Sequence, residues 1–177
     1  MEPLIHFVVP FTALTLAGVK FRRALPISLL ALLPDLDALL LIHRSLSHSL
    51  IILLIAATPI TLLISRFKPN LQRPSILGLL SVASHLALDI FTGYTPILWP
   101  LYSYSIWVKV ELTTHIGSSL NLSLNACLLL EPTTFHRLQS LDASLLTGEG
   151  LILSTALLTP LLLKAFTKYK HPLKERN

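Results

Sequence analysis

Asp35, Asp37, His43 and His48 lie in one short stretch, Pro34-Asp35-Leu36-Asp37 followed closely by His43-Arg44-Ser45-Leu46-Ser47-His48, inside one of the most apolar regions of the chain. Charge without a partner is costly in apolar surroundings, so acids placed there usually have a partner or a task. A second pair, His85 and Asp89, sits in another apolar run. Its i, i+4 spacing puts both side chains on one helix face, where they can share an ion. Asp35 and Asp37, spaced i, i+2, point apart on a regular helix and converge only if Pro34 breaks it. His43 and His48 can approach each other across a tight turn. Imidazole and carboxylate together suit zinc, with manganese or iron as alternatives, whereas magnesium alone prefers oxygen ligands. With His6 added, the candidates exceed the needs of one tetrahedral zinc and suit two divalent ions with an open position. Two such ions about 4 Å apart can activate water and clamp both oxygens of a displacement at phosphorus. The expected metal ligands are therefore His6, Asp35, Asp37, His43, His48, His85 and Asp89. Asp37, His48 and Arg44 are expected to act in catalysis, Arg44 by holding a substrate phosphate.

The elements that must position these residues are apolar. Of 177 residues, 53% are hydrophobic and only 13% charged, against about 25% charged in an ordinary soluble domain. The apolar residues come in long blocks, so the chain reads as one membrane-embedded domain over residues 1–177. The net charge of +5 does not point to nucleic acid, because the basic residues flank apolar segments instead of forming a face. The lone Cys127 excludes an internal disulfide and a cysteine-based zinc knuckle. No basic n-region precedes the first apolar segment, so no cleaved signal is expected.

Five spans are expected: Leu4 to Gly18, Ala24 to Ile42, His48 to Ser65, Ser75 to Thr92 and Gly150 to Phe166. The expected fold is an all-α polytopic helical bundle in the cell (inner) membrane. Gly117 to Leu130 is read as a short re-entrant or packed helix. Trp99, Tyr102, Tyr104 and Trp107 suit an aromatic belt at headgroup level. With five spans, Lys20, Arg22, Arg23, Arg66, Lys68, Arg73 and the tail fall on one side. The positive-inside rule makes that side cytoplasmic. The N-terminus and all the candidate ligands then lie towards the outer face. Membrane lipid is the expected partner, and a small or lipid-linked molecule the expected substrate.

Several motifs also carry a resemblance. Leu33-Pro34-Asp35-Leu36-Asp37, then His43-Arg44-x-x-Ser47-His48-Ser49-Leu50, then His85-x-x-x-Asp89-x-x-Thr92, with Trp99-Pro100 after them and His6 before, resemble the YdjM-type family of membrane-bound metal-dependent hydrolases. The resemblance covers about residues 1 to 110. The family commonly has Thr where this chain has Ser47. The resemblance implies an integral membrane protein with metal-dependent hydrolase activity.

Plainer readings stand beside these. His6 near a helix end can be merely interfacial, Asp35 and Asp37 can cap the restart after Pro34, and His43 and His48 can be loop residues. His85 and Asp89 can form a hydrogen bond that stitches helices, and Arg44 can be an interface anchor. Glu111 and His115 read as surface residues. A transporter or metal-handling protein would use the same cluster at mid-membrane with inverted repeats, and none is visible. A non-catalytic regulator would not need two acids in one span. There is no H-E-x-x-H and no G-x-S-x-G. His85-x-x-x-Asp89 is similar to the last motif of phosphatidic-acid-type phosphatases, but their earlier motifs are absent.

Overall fold

The structure, a computed structural model, describes residues 2–42, 44–116, 120–140 and 144–170. Helix α1 (Pro3–Leu16) starts with Pro3, whose missing N–H costs nothing at a first turn. It ends at Gly18, whose φ of 86° is left-handed, a conformation glycine adopts without strain. Helix α2 (Phe21–Leu29) gives way to 3-10 turns at Leu30–Leu32 and Pro34–Leu40, which stop at Leu41 with φ 58°. A further 3-10 turn, Leu46–His48, leads into helix α3 (Leu50–Phe67), capped by the Ser49 hydroxyl. A short turn at Pro69–Leu71 precedes helix α4 (Gln72–Thr92).

Strands β1 (Tyr104–Ile116) and β2 (Leu120–Pro132) then pair antiparallel, with Leu112 opposite Leu124. Helix α5 (Gly148–Lys170) closes the described chain. It lies along α1, with Leu158 and Leu161 packed on the Phe11, Leu14, Ala24 and Ile27 cluster. A second apolar cluster, Val82, Leu86 and Ile97, joins α4 to the chain that follows it. Where α4 packs on the Leu30–Leu32 turn it carries Gly78, and a Cβ there would come within 2.7 Å of a Leu30 methyl.

These elements correct the expected all-α bundle of five spans. Among the described residues, two helical stretches, Leu50–Phe67 and Pro69–Thr92, are long and apolar enough to cross a membrane. Helix α3 has no buried residue, as suits a helix that is apolar all round and meets lipid. Helix α1 has 14 residues, or about 21 Å of helix against about 30 Å of hydrocarbon. The segment Ala24 to Ile42 is not one span, because Pro26 and Pro34 divide it between α2 and tighter 3-10 winding.

The described part of Gly117 to Leu130 is likewise not a helix. From Leu120 onward it is β2, and residues 117–119 lie outside the described residues. The reason is its period: Leu120, Leu122, Leu124, Leu128 and Leu130 alternate with Asn121, Ser123, Asn125 and Cys127. Alternation by two is the pattern of a strand with one apolar face.

A buried cluster of histidines and carboxylates

The folding of the Pro34 segment sets the two acids apart. At 3.0 residues per turn, positions i and i+2 point about 120° apart, against about 160° on an α-helix. Asp35 and Asp37 can therefore both reach inward from Pro34–Leu40 while facing different groups. His48 ends the Leu46–His48 turn, His6 lies at the end of the first turn of α1, and His85 and Asp89 share one face of α4. His48, His85 and Asp89 are fully buried and His6 is 3% exposed.

Four atoms from three segments converge. His48 Nε2 and His85 Nε2 are 3.4 Å apart. Each lies 3.2 Å from Asp89 Oδ2, and Asp35 Oδ1 is 3.6 Å from His48 Nε2 and 3.5 Å from His85 Nε2. Ligands about 2.0–2.1 Å from a tetrahedral zinc are about 3.3–3.4 Å from one another. Each of these five spacings is close to that of two donors on one metal ion. The directions agree: both oxygens of Asp35 and both of Asp89 are buried without a hydrogen-bond partner, although imidazole nitrogens are near. Buried carboxylates left this way are costly unless something else compensates them. Asp89 Oδ1 lies 3.4 Å from His6 Nε2, so one carboxylate faces histidines on both sides. The rings of His6 and His85 are 3.9 Å apart. Two groups, His6 with His85 and Asp89, and Asp35 with His48 and His85, could each hold a metal ion.

Asp37 is placed differently. Its Oδ2 lies 3.2 Å from His48 Nδ1, accepts from the Ser45 backbone N–H at 2.8 Å and accepts from the Ser47 hydroxyl at 3.1 Å. It meets the far side of the ring whose Nε2 faces the cluster. Burial raises the Asp37 pKa, but His48 and the Ser45 N–H outweigh it and hold the carboxyl below its usual range. Burial lowers the His48 pKa, yet the neighbouring carboxylates of Asp35, Asp37 and Asp89 prevail and raise it from 6.5 to about 10. Arg44, at φ 54°, donates to Thr92 Oγ1 at 2.6 Å and to the Tyr94 carbonyl at 3.3 Å. Its guanidinium thus sits at the C-terminus of α4, where a cation is favoured. A Cβ at Gly93 would collide with that guanidinium. His43 lies outside the described residues. Ser49, which the sequence offered only as part of a motif, ties the cluster down: its hydroxyl donates to the Trp99 carbonyl, and the neighbouring Leu50 N–H donates to Ile97 O at 2.9 Å.

Residues 1–170 match the family described as YdjM inner membrane protein. The chain belongs to this family. No curated protein and no solved structure matches it. Membership places the chain among inner membrane proteins, in keeping with the two apolar helices α3 and α4.

Proposed function

We propose that the chain is a membrane-bound metal-dependent hydrolase acting on a phosphoester, most readily one carried by a lipid. The observation that supports it is the convergence of Asp35, His48, His85 and Asp89 at the spacing of metal ligands. His6 on the other side of Asp89 makes room for a second ion. The two groups share His85, so the ion that it binds has three protein ligands, and three ligands with one position open is the pattern of a catalytic site. Zinc suits the donor set best, with manganese or iron as alternatives. When bound, such ions supply Lewis-acid polarisation and a water of lowered pKa.

The chain's own residues do the rest. Asp37 fixes the tautomer and orientation of His48 through Nδ1, as carboxylates behind metal-binding histidines do. Arg44 uses its terminal nitrogens to hold the turn after Pro34–Leu40 against α4. Its Nε is buried without a partner, which leaves one donor for a substrate phosphate.

The charges suggest an orientation. Glu2, beside Gly150, puts the N-terminal ends of α1 and α5 together, on the side of His6 and Asp89. At the other end Lys20, Arg23 and Arg73 gather around Gly18 and Pro74. The positive-inside rule makes the basic end cytoplasmic and the histidine cluster outward-facing. The test is release of product from phosphomonoester and phosphodiester lipids by the purified protein with added zinc or manganese. We expect metal-dependent turnover in the wild type and none in Asp89→Asn. Asp37→Asn should fall about 10–100-fold, the usual cost of losing such an outer partner. Metal binding without turnover of any ester would contradict the hydrolase reading and favour a metal-handling protein.

A further inference from the structure

The β1–β2 hairpin is one-sided. In an antiparallel ladder, directly opposed residues share a face. Val110, Leu112 and Ile116 therefore share one with Ala126, Leu124 and Leu120, and Val108 with Leu128. Val110, Leu112, Ile116, Leu122, Leu124 and Leu128 are 51–80% exposed. The opposite face carries Lys109, Glu111, Thr113 and His115 beside Cys127, Asn125, Ser123 and Asn121, with Trp107 opposite Leu129 and Ser105 opposite Glu131 at its root. Lys109 and Glu111 pair at 2.7 Å, so beyond the root the polar face has little net charge. Thirteen residues per strand make a ribbon about 44 Å long. A two-stranded hairpin is marginal in water without a surface to support it, and an apolar face of this length marks an interaction surface.

We propose that this apolar face lies flat on the membrane, at the level of the lipid headgroups and upper acyl chains. The hairpin starts where a candidate span ends. Thr95 bridges to Ile106, Trp107 Nε1 donates to the Phe91 carbonyl at 3.3 Å, and Tyr94 meets the Trp107 ring edge-on. The Trp107 ring, on the polar face, thereby ties the root of the hairpin to the end of α4. Ile106, at the root of the apolar face, packs on the cluster that Ile97 forms with Val82 and Leu86 of α4. The face is thus continuous with a helix long and apolar enough to cross the bilayer. The ribbon does not enter the hydrocarbon, because its two outer edges carry backbone groups that need water. Lying flat keeps those edges and the polar face hydrated while the leucines leave water.

The test uses the full chain, with Cys127 replaced by Ser, in phosphatidylcholine bilayers. One cysteine is placed at Leu124 on the apolar face or at Asn125 on the polar face and labelled with an environment-sensitive fluorophore. Val110→Cys and Glu111→Cys repeat the comparison on β1. The label at 124 or 110 should be blue-shifted, quenched by lipids with a nitroxide high on the acyl chain, and shielded from aqueous iodide. The label at 125 or 111 should show the reverse. Because the polar face is near neutral, the contrast should persist from low to high salt and without anionic lipid. Equal iodide quenching on both faces overturns the proposal. So does shielding of the 124 site from both quenchers with cross-linking between its copies, which assigns the face to a second copy of the chain.

Discussion

Both carboxylate oxygens of Asp89 are buried and face imidazoles, Oδ1 towards His6 and Oδ2 towards His48 and His85, without a hydrogen bond to satisfy them. If metal compensates this charge, Asp89→Asn should lose the rise in Tm that zinc or manganese gives the wild type. If Asp89 only stitches helices, the same substitution leaves buried histidines unsatisfied and costs about 1–3 kcal/mol with or without chelator. Thermal unfolding of both proteins, with chelator and with added metal, separates the two. His48 adds a prediction about protons. Its pKa is raised from 6.5 to about 10 in the metal-free fold. The stabilisation from its protonated form is therefore fully present below about pH 6.5 and is lost as pH rises through about 10. Metal needs the neutral ring, so binding at pH 7–8 should release about one proton from His48 and tighten as pH rises towards 10. Titration calorimetry in buffers of different ionisation enthalpy reads that proton, and buffer-independent heats would contradict it.

At the level of elements, the turn carrying Asp37 and His48 depends on Arg44 reaching the end of α4, where Gly93 leaves room for it. Arg44→Ala removes no ligand, yet should weaken metal binding about ten-fold by loosening that turn. Gly93→Ala should act in the same direction by displacing the guanidinium. Unchanged metal affinity in both would make Arg44 a mere surface anchor. Much of this was legible in the sequence. The i, i+4 spacing of His85 and Asp89 fixes one face of α4, and Pro34 announces a broken helix. What spacing alone does not reveal is the 3-10 winding after Pro34, which turns Asp35 to the cluster and Asp37 to the back of His48. That choice depends on the Ser45 N–H and the Ser47 hydroxyl, which bind Asp37 only once the chain has folded. The second strand was legible too, in the alternation of Leu120 to Leu128. Read as a block, the same leucines suggest a short helix. The two prolines in 24–42 and the shortness of α1 likewise argue against two of the five expected spans.

Across the whole molecule, the buried histidines and acids lie at one end and Lys20, Arg23 and Arg73 at the other. A cysteine at Asn70, between α3 and α4, in a Cys127→Ser background should resist an impermeant maleimide added outside intact cells. Efficient labelling would reverse the orientation and turn the cluster inward. The central claim is that the cluster of His6, Asp35, His48, His85 and Asp89 exists to hold metal, and the most direct measurement is thermal unfolding of the wild-type protein in detergent. It is done first with chelator and then with zinc or manganese at about 100 times Kd. A ligand at that excess stabilises the fold by about 2.7 kcal/mol, or about 5–10 °C in Tm for a chain of this size. The account predicts a Tm that falls in chelator and recovers by that amount when metal returns. A Tm that ignores both chelator and metal would contradict it.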